Sequence, residues 1–146
     1  MFKLFVQFLC ATTFASAVVA SNIFIISPQA SSTVVAGSNV IVEIGDLQPK
    51  QTNGTGITVD ITPCASASEC PGVSQGTGQV LYSGPYIAEH HNDADAVYQN
   101  ITVTIPSSLS GAAQLGVSHY PLSAGGDSGL PPLEYTDTIL NVVASN

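Results

Sequence analysis

The stretch Asn39-Val40-Ile41-Val42-Glu43-Ile44 sets Val40, Val42 and Ile44 on one side of an extended chain and Ile41 and Glu43 on the other, because successive side chains of a strand point to opposite faces. Residues 100–106 repeat the device, with Ile101, Val103 and Ile105 pointing one way and Thr102 and Thr104 the other. Period-two runs of Val, Ile and Thr recur along the chain between clusters of Gly, Pro, Ser and Asn, and no segment carries apolar residues at helical spacing for three turns. The pattern predicts an all-β fold. Strands are expected over residues 23–27, 38–44, 57–63, 79–83, 98–105, 112–120 and 135–143. In the last of these the alternation is undecided. Thr138, Leu140 and Val142 form no cleaner apolar set than Ile139, Asn141 and Val143, so a strand buried on both sides is one expectation.

Seven short strands separated by turn signals predict an Ig-like or fibronectin-III-like antiparallel β-sandwich, with a small jelly roll or barrel as the alternative. The chain has no Trp, and its cysteines lie too close together for the inter-sheet disulfide of antibody domains. The expectation therefore concerns the architecture and not membership of that superfamily.

Residues 1–20 carry a single positive charge at Lys3, an apolar run from Leu4, and the small residues Val18 and Ala20. This is the pattern of a secretory signal peptide, with cleavage expected after Ala20 and after Ala17 as the alternative. Gln7, Thr12 and Thr13 interrupt the run, which argues against a membrane anchor. Residues 21–146 are then read as a single domain, large enough to bury a core without many disulfides. The closing residues lack a hydrophobic tail, so an added lipid anchor is not expected.

Once Lys3 is removed, Lys50 is the only Lys or Arg facing ten Asp and Glu residues. Binding a phosphate backbone requires clustered cations, so the charge balance argues against nucleic acid and anionic membrane surfaces. Uncharged glycans, cationic partners and Ca²⁺ remain compatible with it. Cys10 leaves with the signal peptide. Cys64 and Cys70, with five residues between them, are expected to pair in an oxidising compartment, closing a small loop worth about 2 kcal/mol in the chain-entropy account. Two sequons, Asn53-Gly54-Thr55 and Asn100-Ile101-Thr102, are expected N-glycosylation sites. The alternation around Asn100 places a glycan there on the Thr-bearing face, which must then be exposed.

Three further groups of residues are candidates for chemistry. Gly126-Asp127-Ser128-Gly129 is the tetrapeptide around the nucleophile of chymotrypsin-like proteases, but Leu130 follows where that family continues with Gly and Pro. A triad also needs an oriented base and an oxyanion hole, and the four residues are read as a surface turn. Glu89-His90-His91-Asn92-Asp93-Ala94-Asp95 brings carboxylates and imidazoles together. His90, His91, Asp93 and Asp95 are the candidate metal ligands, with Ca²⁺ the candidate ion, whereas Zn²⁺ or Cu²⁺ would prefer His90, His91 and His119; a solvated acidic loop is the plainer reading. Tyr82, Tyr86 and Tyr120 are candidate platforms for stacking sugars, against the plainer reading of core packing with a wetted hydroxyl. Paired carboxylates for glycoside hydrolysis would need a cleft that a small sandwich scarcely provides, and no catalytic residue is assigned.

The stretch from Ile23 to Ile44, a strand, a Pro turn, a Gly and a second strand, resembles the opening of the Ig-like domain of the fungal Knh/Kre-type cell-wall family. Residues 78–86, 98–122 and 133–142 resemble a group of small secreted basidiomycete proteins, with a Gly-Pro-Tyr turn, a sequon-bearing strand and a Gln-Leu-Gly-Val strand. The resemblance implies a secreted fungal Ig-like domain and supplies no catalytic residues to carry over. The expected function is a secreted, non-catalytic protein of the cell wall or extracellular space that binds glycan or protein. A metal-binding or effector protein built on residues 89–95 is the alternative.

Overall fold

The computed structural model describes residues 22–47, 55–72, 78–91, 97–120 and 133–145. Nine strands run in chain order: β1 (Ile23–Ser27), β2 (Thr33–Val35), β3 (Asn39–Asp46), β4 (Thr55–Pro63), β5 (Gln79–Tyr86), β6 (Glu89–His90), β7 (Val97–Thr104), β8 (Gly111–Tyr120) and β9 (Glu134–Val143). They form a four-stranded sheet in the order β1-β3-β7-β6 and a five-stranded sheet in the order β2-β9-β8-β4-β5. Every pairing is antiparallel except that of β2 with β9. This is an Ig-like sandwich: the first sheet has the A-B-E-D order of an immunoglobulin, and the second contains its G-F-C order.

All seven expected strands are present, most of them longer by one to three residues. The two that alternation did not announce are β2 and β6. β2 is three residues long and exists through its parallel pairing with β9, more than a hundred residues away. It forms when the chain leaves the first sheet at Pro28 and crosses to the second. β6 is two exposed polar residues held by β7. Neither carries an apolar period of its own, so tertiary pairing and not local propensity makes them strands.

The core follows the alternation. β3 buries Val42 and Ile44, β7 buries Ile101 and Val103, β4 buries Ile57, Val59 and Ile61, and β8 buries Ala113, Leu115 and Val117. In antibody domains the strands corresponding to β3 and β8 are tied by a disulfide, and the strand corresponding to β4 carries the core Trp. Here those strands meet through aliphatic side chains, each worth about 1.5–3 kcal/mol on burial. The ambiguity in β9 resolves to one face: Thr138, Leu140 and Val142 point inward, while Asn141 and Val143 are exposed. The expectation of a strand buried on both sides is thereby corrected. Among the described residues no further sheet or helix packs on its outward face, where Ile139 is half-buried and Asn141 and Val143 are exposed.

Cys64 and Cys70 are disulfide-bonded, closing the turn that follows β4. Gly45 has a different use. It lies opposite Phe24 in the β1–β3 register, and a Cβ there would come within 2.5 Å of the Phe24 ring. The ring therefore lies across the glycine and covers backbone that would otherwise face water.

Candidate functional site

Antiparallel alternation brings the ends of many strands to one end of the sandwich. β3 leaves it at Asp46, β4 enters at Thr55, β5 leaves at Tyr86, β7 enters at Val97, β8 leaves at Tyr120 and β9 enters at Glu134. The registers Asp46↔Val97, Thr55↔Tyr86 and His119↔Glu134 align these residues. The connections β3–β4, β6–β7 and β8–β9 all start from this end, the end that carries the binding loops in immunoglobulin variable domains.

Beneath the rim lies a buried polar cluster contributed by five elements. His119 donates from Nδ1 to Glu134 Oε2 at 3.0 Å, with only 5% and 10% of the two side chains exposed. The other carboxylate oxygen, Oε1, accepts from the side-chain amide of Asn22 at 3.0 Å, which ties the start of β1 in one sheet to β9 in the other. Tyr86 stands edge-on to the His119 ring, with centroids 5.0 Å apart, and its hydroxyl donates across the sandwich to the Ile44 carbonyl at 3.1 Å. Burial, and then the charges of Asp46 and Glu134, push the Tyr86 phenol well above its usual range. Asp46 is itself buried. The remaining nitrogen of His119, Nε2, has no hydrogen-bond partner among the described residues. The Asn22–Glu134 and Tyr86–Ile44 hydrogen bonds tie the two sheets together where the strands end.

Above this cluster the rim exposes large apolar side chains. Leu47 is 67% exposed, Ile87 61% and Tyr120 47%. They follow or end β3, β5 and β8, each next in sequence to a cluster residue: Asp46, Tyr86 and His119. The Leu47 amide donates to the Asn22 carbonyl at 2.9 Å, the Ile87 amide donates to Gln99 Oε1 at 2.8 Å, and Tyr120 adjoins His119 on β8.

The expected site residues fall unevenly around this end. Tyr120 is exposed as a platform must be. Tyr86 is only 6% exposed and serves the core, which corrects its assignment as a stacking platform: the register with Thr55 turns it inward. Tyr82 faces the same inner side, half-buried against the core and folded over Gly84, so it too is a packing residue. His90 is exposed on β6. His91 lies flat on Tyr98, with centroids 3.7 Å apart, and its Nε2 is 3.2 Å from the Tyr98 carbonyl. A metal at His91 would have to use Nδ1 or displace that contact. No group of three His, Cys, Asp or Glu side chains able to hold a metal occurs among the described residues. Asp93, Asp95, Asn53 and Ser128 lie outside the described residues. Asn100 is exposed on β7, as are Thr102 and Thr104, while Ile101 and Val103 are buried.

Sequence reasoning missed Asn22, Asp46 and Glu134, and offered His119 only as a Zn²⁺ or Cu²⁺ ligand beside His90 and His91. The available signal was the hairpin: strands ending at Tyr120 and beginning near Tyr135, paired antiparallel, bring His119 beside Glu134.

A second carboxylate is partly desolvated by its surroundings. Asp60 lies on the outer face of β4, where Gly78 packs so closely that a Cβ there would collide with the carboxylate. Desolvation raises its pKa, with its own backbone hydrogen bond opposing. A carboxyl raised on folding contributes stability that is fully present below its ordinary value and lost as pH rises through the folded value. Asp60→Asn is therefore expected to raise the melting temperature at pH 7 and to leave it unchanged near pH 3. Thermal melts of both proteins across that range check the sign, and destabilisation at pH 7 would contradict it.

No known protein-family profile matches the chain, and no curated protein is detectably similar to it in sequence. The site is accordingly read from its own geometry.

Proposed function

We propose that this chain is a secreted, non-catalytic binding module of the fungal cell wall or extracellular space, and that it holds glycan, or failing that another protein, through the rim formed by the ends of β3, β5 and β8. The observation that carries this reading is that Leu47, Ile87 and Tyr120 are exposed at the same end of the sandwich, each next in sequence to a residue of the buried polar cluster. Exposed apolar and aromatic groups on a preorganised support lose little conformational freedom on binding. Loops placed on such a scaffold are where binding residues concentrate. The disulfide suits an oxidising compartment, and the lack of clustered cations in the sequence disfavours nucleic acid.

The test is retention of the protein, cut after Ala20, on insoluble β-glucan and on chitin, in Ca²⁺ and in EDTA. Retention on one polymer supports the glycan reading, and its loss in EDTA would bring the His90 and His91 segment into the site as a metal-dependent element. Failure on both polymers overturns the glycan reading and leaves a protein partner.

A further inference from the structure

The outer face of the four-stranded sheet has one anomaly. Ile41 sits in the middle of β3, an interior strand of that sheet, and is 55% exposed. Its cross-strand partner is Thr102, and its diagonal neighbour is Asn100, which pairs with Glu43. Asn100 and Thr102 are both exposed, and Ile101 between them is buried. The acceptor amide and the Thr hydroxyl of the sequon therefore lie on one open face, and the strand pleat aims them at the side on which Ile41 stands. A diagonal neighbour lies about 7–8 Å away, within reach of a sugar attached to the Asn100 amide.

We propose that Asn100 carries an N-linked glycan whose first N-acetylglucosamine lies over Ile41, so that this face is covered by the chain's own sugar. In the attachment, Asn100 Nδ2 forms a bond to C1 of a lipid-linked oligosaccharide. The C1–O bond to the lipid diphosphate breaks, the diphosphate leaves with the bonding pair, and one amide proton passes to base. The glycan removes a flat, partly apolar face from the surfaces open to partners and leaves the rim and the five-stranded sheet. The inference shares with the proposed function only the premise of secretion, and its readouts are independent of polysaccharide binding.

The full chain is expressed in a glycosylating eukaryotic host and in a host without the transferase, and intact masses are measured. Asn100→Gln and Thr102→Ala are each expected to remove the same single glycan from the first product, whatever occupies Asn53. Melting temperatures are then compared for the wild type, Asn100→Gln, Ile41→Ser and the double variant. In the glycosylated set, Asn100→Gln is expected to lower the midpoint by roughly 3 °C when Ile41 is present and not when it is Ser. In the unglycosylated set, the two substitutions act independently. If Asn100→Gln fails to fold, Thr102→Ala takes its place, with the unglycosylated set removing any direct Thr102–Ile41 coupling. An unmodified Asn100, or equal shifts with and without Ile41, would overturn the proposal.

Discussion

Glu134→Ala is expected to destabilise the protein by about 2–4 kcal/mol, because it leaves buried donors without their acceptor, and to lower the melting temperature by roughly 10 °C. The carboxylate receives His119 Nδ1 on one oxygen and the Asn22 amide on the other. With the carboxylate gone, the imidazole is left with neither nitrogen paired among the described residues, since Nε2 already has no partner. Glu134→Gln keeps an oxygen for Asn22 and is expected to cost less than half as much. Urea or thermal unfolding of the two variants measures this. A cost below about 0.5 kcal/mol for the Ala variant would reduce the cluster to an ordinary surface pair.

Leu115→Ala is expected to cost about 2–5 kcal/mol, the range for a fully buried leucine whose cavity only partly collapses. Leu115 is completely buried in β8, an interior strand, packed within the aliphatic cluster that replaces the antibody disulfide and Trp. In the unglycosylated protein, Ile41→Ala, an equally apolar truncation on the open face, is expected to change stability by less than about 0.5 kcal/mol. The contrast tests the register itself, since a one-residue slip would exchange buried and exposed positions on the slipped strand. Similar costs at the two positions would contradict the assignment of faces.

Alternation made β3 and β7 readable in detail. Val42, Ile44, Ile101 and Val103 are inside, and Ile41, Thr102 and Thr104 are outside, as their spacing requires. In β9 the two faces have similar composition, so only the pairing with β8 and the packing of the two sheets decide between them. The polar cluster was hidden for a different reason. Asn22 and Glu134 are 112 residues apart and meet only because β1 closes one sheet beside the entry of β9 in the other. For Tyr86 the sequence leaves a platform and a core anchor both open, because a tyrosine near a strand end suits either, and the structure takes the plainer reading of core packing. The rim was likewise invisible in composition: Leu47, Ile87 and Tyr120 belong to no common motif, and topology alone brings them to the same end of the sandwich.

The rim as the binding surface is tested most directly by comparing the wild type with the Leu47→Ser, Ile87→Ser, Tyr120→Ala triple variant for retention on insoluble β-glucan and chitin. All three side chains are exposed, so the variant should melt within a few degrees of the wild type. It is expected to bind at least about tenfold more weakly to whichever polymer retains the wild type, equivalent to about 1.4 kcal/mol. Equal retention of a folded triple variant would contradict the account and place the binding surface elsewhere on the sandwich.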